Sequence, residues 1–113
     1  MSKNNIKSDL FYNISPNPRD DEISKGCDQF KNGSHDSIIA IGGGSAMDGG
    51  KSICLTVNSE TPLWDFEFEQ PVPKITKENA FPKIITIPTT AGTGAETEIT
   101  AMVTHLEKGM KFC

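Results

Sequence analysis

A chain of 113 residues has room for one domain, and a domain of that length can bury a core without disulfides or metals to hold it. A formal net charge of -4, with 23% charged residues, no basic stripe and no run of like charge, excludes nucleic acid as the expected partner. Cys27, Cys54 and Cys113 are odd in number and contain no C-x-x-C pair, which suits a reducing cytoplasm, and no apolar run approaches a bilayer-spanning length, so no membrane partner is expected.

Residues 1–9 form a polar N-terminal extension with neither signal-peptide nor anchor composition. Leu10 to Ile14 is a short apolar and aromatic run ended by Ser15-Pro16-Asn17-Pro18; proline refuses both helix and ladder, so the run is expected to be a strand entering a loop. From Asp20 to Asn32 the period changes. Ile23, Cys27 and Phe30 recur at i, i+4 and i+7, with acidic residues in front and Gly33 behind, which predicts an amphipathic helix. The loop Gly33 to Ser37 feeds a strand, Ile38 to Ile41. Strand, helix and strand at that spacing favour a parallel sheet with a right-handed crossover.

Gly42-Gly43-Gly44 then opens a second helix, Ser45 to about Val57, whose apolar face is Ala46, Gly50, Ile53, Cys54 and Val57. Ser45-x-x-Asp48 reads as a capping-box variant, and Gly49 and Gly50 inside the helix should each cost roughly 1 kcal/mol relative to alanine. Thr61 to Phe81 is proline-rich and aperiodic, a surface excursion. Ile84-Ile85-Thr86-Ile87-Pro88 is a buried-strand run, followed by a small-residue loop, Thr89 to Glu96. Ile99 to Thr104 is the last strand candidate, Glu107-Lys108-Gly109 a hairpin turn, and Lys111-Phe112-Cys113 the entry to a partner strand. The expected fold class is α/β, a partial Rossmann-like parallel sheet with flanking helices, incomplete at both ends.

Both glycine-bearing loops follow strands, on the edge where open α/β sheets bind ligands. At the first, the amides around Gly44 to Ala46 lie at a helix start with no partner inside the helix, and the dipole places partial positive charge there, so a phosphate is the natural guest. At the second, Thr89, Thr90 and Thr93 supply hydroxyls, and together the loops suit a pyrophosphate with riboses. Capping or turn roles for Ser45 and the threonines are the plainer alternatives. Two other phosphate motifs fit less well. G-x-G-x-x-G lacks its third glycine, since Met47 stands there. Gly50-Lys51-Ser52 lacks the upstream glycine of a P-loop, and Lys51 lies about 9 Å along the helix.

Gly42-Gly43-Gly44-Ser45-Ala46-Met47-Asp48, Pro88-Thr89-Thr90-Ala91-Gly92-Thr93-Gly94-Ala95-Glu96 and Pro16-Asn17-Pro18 together resemble the iron-containing (group III) alcohol dehydrogenases, in order and across the chain from Leu10 on. The resemblance implies the N-terminal domain of a dehydroquinate synthase-like fold, with residues 10–113 a partial dinucleotide-binding domain and the C-terminal metal-binding helical domain outside this chain. It implies hydride transfer between an alcohol or aldehyde and NAD or NADP, assisted by iron or another divalent metal. On that basis Gly43, Gly44 and Ser45 hold the pyrophosphate, Asp48 lies towards the nicotinamide, Thr89, Thr90 and Thr93 contact the adenosine and phosphates, and Lys111 reaches the cofactor. The family's metal ligands, one aspartate and three histidines, match neither His35 nor His105, so no metal-binding and no catalytic residue is assigned here. Gly49-Gly50 replaces the usual small alanines, and His105 stands where an aspartate is usual. The chain is expected to be inactive alone and to expose apolar surface, with homo-oligomer formation one outcome. The alternatives are a non-catalytic nucleotide-binding remnant and the glycerol or sugar-phosphate dehydrogenase branch of the same superfamily.

Overall fold

In the computed structural model, residues 6–59, 62–67, 69–71, 81–98 and 100–113 are described. Helix α1 spans Asp20–Asn32, the bounds its period predicts, with Asp20, Asp21 and Glu22 in the first turn and Lys31 in the last, complementary to the helix dipole. Glu22 reaches back to the Arg19 amide at 2.9 Å and also accepts the Ser15 amide at 3.0 Å and hydroxyl at 2.7 Å. A buried carboxylate thus receives donors from three directions, which offsets its loss of water.

Strand β1 is Ser37–Gly42, helix α2 is Gly44–Thr56 and strand β2 is Lys83–Pro88. β1 and β2 pair in parallel from Ser37↔Lys83 to Gly42↔Pro88, so the crossover unit is β1-α2-β2. Strands β3, Val103–His105, and β4, Met110–Phe112, form an antiparallel hairpin in a sheet of its own. Leu63–Phe66 is a single 3-10 turn within the expected surface excursion; residues 61, 68 and 72–80 of that excursion lie outside the described residues.

Leu10 to Ile14 is not a strand. It runs alongside α1, where Gln29 Nε2 donates to the Leu10 carbonyl at 3.0 Å and His35 meets Asp9 at 2.6 Å, while Leu10 and Tyr12 remain 79% and 77% exposed. Gln29 of α1 holds one backbone carbonyl of the run, where a neighbouring strand would pair with several, and Phe11 and Ile14 turn into the core. The crossover unit expected to begin here is therefore built one strand later.

The core lies in two clusters. Ile23, Ile53, Val57 and Val103 join α1, α2 and β3, with Phe11, Ile14 and Trp64 packed around them. Ala40, Met47 and Ala95 form the second, beneath the two glycine-bearing loops. Gly50 sits where α2 crosses β1 so closely that a Cβ there would stand 2.7 Å from that of Ala40. Along the sheet, side chains alternate between faces. Ile38, Ala40 and Ile84 face α2, whereas Ile39, Ile41, Ile85 and Ile87 point the other way and are 40%, 59%, 58% and 45% exposed. Among the described residues no helix is long and apolar enough to cross a membrane.

Candidate functional site

Parallel pairing ends at Gly42↔Pro88, so the two loops leave the sheet side by side. The Thr89 amide donates to the Gly42 carbonyl at 2.8 Å, one bond beyond the ladder. Gly42 has φ +147, a conformation that side chains resist, and a Cβ there would stand 2.7 Å from that of Ala46. The chain thus turns sharply from β1 into α2.

Helix α2 starts one residue earlier than the sequence suggests. Gly43 is the N-cap, no side chain caps it, and the first intrahelical bond runs from the Met47 amide to the Gly43 carbonyl at 3.1 Å. The amides of Gly44, Ser45 and Ala46 therefore precede the ladder, and the first turn carries no acidic residue to neutralise them. The expected Ser45-Asp48 capping box is absent because Ser45 lies inside the helix and its hydroxyl donates to the Pro16 carbonyl. Above Gly44 there is open space: a Cβ there would meet nothing within 4 Å.

Thr90 closes over this start, its side chain 3.4 to 3.5 Å from where a Cβ on Gly43 would lie. Thr89 and Thr90 are exposed beside the bare amides, so the structure brings Gly43, Gly44, Ser45, Thr89 and Thr90 to one edge. Thr93 belongs to the same loop, but its hydroxyl accepts the Ala95 amide at 3.4 Å, as a turn-forming threonine does. Asp48 lies one turn into α2, facing the chain at Met102, and Lys111 stands on β4 close enough to act on its charge.

Burial pushes the Asp48 carboxyl above its ordinary value, and Glu98 adds to this, while a Met102 backbone hydrogen bond and the charges of Lys51 and Lys111 oppose it. Burial likewise pushes up the thiols of Cys27 and Cys54, whose sulfurs meet Thr56 Oγ1 at 3.3 Å and the Pro82 carbonyl at 3.2 Å. Both are poor nucleophiles as placed.

A bound metal does not fit the described residues. Among the described residues no three His, Cys, Asp or Glu side chains converge, and the two histidines are engaged elsewhere. His35 pairs with Asp9, and His105 stacks on Trp64 with ring centroids 4.7 Å apart. A groove of about 730 Å³ near Trp64 and His105 lies away from the loops, and Trp64 Nε1 there is held by Asp20 at 3.1 Å. The loop edge instead offers bare helix amides, open space over Gly44 and flanking hydroxyls, the kind of donors that take up an anionic group.

Sequence reasoning missed two connections. The Pro16-Pro18 bend braces the site, taking the Ser45 hydroxyl at Pro16 and the Thr104 amide at Pro18, the latter at 2.7 Å. Lys51 binds the second loop from below. The proline pair signalled the first, whereas the second had no signal beyond an unexplained lysine.

A family model described as iron-containing alcohol dehydrogenase matches residues 1–113. A choline dehydrogenase of Bacillus subtilis is 37% identical over 103 residues, covering 91% of this chain and 25% of the relative. A solved 1,3-propanediol oxidoreductase superposes with a TM-score of 0.85 at 30% identity, over 98% of this chain and 28% of that one. A sulfoacetaldehyde reductase from Bifidobacterium kashiwanohense, solved with NAD+, gives 0.80 at 29% identity, over 93% and 27%. The chain thus spans about a quarter of the length of curated relatives such as this choline dehydrogenase.

Proposed function

The chain belongs to the iron-containing alcohol dehydrogenase family, and from that premise we propose that residues 10–113 form part of a dinucleotide-binding domain serving hydride transfer between an alcohol or aldehyde and NAD or NADP. One observation carries this reading. The second loop stands over an uncapped helix start, tied to the first by the bond from the Thr89 amide to the Gly42 carbonyl. A pyrophosphate seated there would take the amides of Gly44, Ser45 and Ala46, with Thr89 and Thr90 donating from the side. Ser45 would act through its amide, because its hydroxyl proton is already given to Pro16. Thr93 would shape the loop, and Asp48 and Lys111 would flank the cofactor as an opposite-charge pair.

The bound dinucleotide supplies the hydride acceptor; this chain's residues bind and orient it. The cluster of donors a metal needs is not found among the described residues, so these residues are assigned no catalytic step. The NAD+ complex of the sulfoacetaldehyde reductase supports the dinucleotide reading. The free cysteines and the ordinary acidic charge balance support a cytoplasmic setting.

Calorimetric titration of the 113-residue chain with NAD, NADP and ADP-ribose tests the proposal. Binding of at least one is expected. Gly44→Val places methyl groups in the open space over the helix start, so it should leave the melt unchanged and weaken binding at least about tenfold, or 1.4 kcal/mol. Absence of heat with all three ligands, or equal binding by the variant, overturns the reading.

A further inference from the structure

Lys51 lies on α2, the helix whose start forms the candidate site, but its ammonium does not point to that start. Nζ donates to the Ala95 carbonyl at 2.5 Å and to the Thr100 carbonyl at 3.2 Å, across 44 and 49 residues of sequence. An ammonium has three donors and no acceptor, so it can gather backbone oxygens from separate turns, and its charge strengthens each bond. Ala95 is buried, at 5% exposure, so its carbonyl has little access to water as a substitute.

The second loop therefore has two pins. At its base the Thr89 amide is fixed to the Gly42 carbonyl, and at its far end Ala95 is fixed to Lys51. Between them run Thr90 to Gly94, the stretch holding Thr90, proposed to meet the dinucleotide, and Thr93, proposed to shape the loop. Thr90, Ala91, Gly92 and Thr93 are all exposed. Their height over the helix start follows from the pins, because β1 fixes the first and α2 the second.

We infer that Lys51 is a positioning residue for the cofactor: it binds no phosphate itself but holds the Thr90-to-Gly94 arch over the start of its own helix through the Ala95 and Thr100 carbonyls. This rests on the dinucleotide reading for its ligand, though not for the tether itself.

Lys51→Met keeps the stem and removes the donors, whereas Lys51→Arg keeps charge and donors. In the full 113-residue chain, Lys51→Met should speed amide hydrogen exchange at Ala95 to Glu98 and at Thr100 to Met102 more than in α1 or β1. It should also weaken ADP-ribose binding at least about tenfold, with Lys51→Arg recovering most of both. In the unsubstituted chain, the side-chain ammonium of Lys51 should give a protected nitrogen resonance while exposed lysines exchange freely, a measurement that stands even if Lys51→Met does not fold. In a folded Lys51→Met chain, unchanged loop exchange or a rise spread uniformly over the whole chain overturns the inference, and so does an unprotected Lys51 ammonium in the unsubstituted chain. If the unsubstituted chain binds no ADP-ribose, the dinucleotide reading fails and the cofactor role with it, whereas the tether is still decided by exchange and resonance.

Discussion

At Asp48 burial and neighbouring positive charge pull in opposite directions. Its carboxyl is pushed up mainly by burial, against the pull of the Met102 hydrogen bond and the charges of Lys51 and Lys111. A carboxyl whose folded pKa exceeds its unfolded one binds its proton more tightly when folded. Stability from this group is therefore fully present below the unfolded value, about 3.9, and is lost as pH rises through the folded one. Asp48→Asn keeps an acceptor for Met102 and cannot ionise. It should melt above the unsubstituted chain at pH 7, with the gap closing as the solution is acidified. Equal melting temperatures at pH 7, or a gap that widens in acid, would contradict this account.

Helix α2 carries most of what the site needs, and its packing reverses one expectation from its composition. Glycine inside a helix costs roughly 1 kcal/mol on propensity alone. At position 50, however, a Cβ would stand 2.7 Å from the Cβ of Ala40, an atom fixed to β1 and unable to swing aside. Overpacking of this kind costs about 1 to 3 kcal/mol. Gly50→Ala should therefore lower the urea midpoint despite the better helix former. Gly49→Ala meets only the Ile14 side chain, at 3.0 Å and beyond, and should lose less. A Gly50→Ala chain as stable as its parent would show that α2 can lift off the strand at no cost.

The elements that sequence disclosed are those set by local period: α1 to the residue, α2 and β2 within one residue at each bound, and the turn into the β3-β4 hairpin. Its failures share a cause. Leu10 to Ile14 has a strand's composition, but a five-residue run with four apolar or aromatic side chains does not distinguish pairing with a strand from docking along a helix. The Ser45 hydroxyl was diverted to a carbonyl 29 residues away, and the Lys51 partners are more distant still. The glycine and threonine loops were legible because such anion chemistry sits in consecutive residues. The braces beneath them depend on tertiary approach and leave no local trace.

At the scale of the whole molecule, the parallel sheet has one covered face and one bare one. Parallel sheets are normally covered on both. Ile39 pairs with Ile85 and Ile41 with Ile87 in register, so four isoleucines form a continuous exposed apolar square. The isolated chain should associate as its concentration rises, as sedimentation velocity would register, and Ile41→Lys with Ile87→Lys should shift it towards monomer. A monomer at all concentrations, with the isoleucines intact, would refute this. The same strand register has a further consequence for inheritance. A slip of two residues, the smallest that keeps each side chain on its own face, would draw one loop back about 7 Å from the other. Neither loop would have changed a single residue, yet their shared edge would be gone. Mutations that abolish the pocket could thus accumulate in the isoleucine ladder far from any ligand, while a search limited to the glycine and threonine motifs would still report the pocket intact.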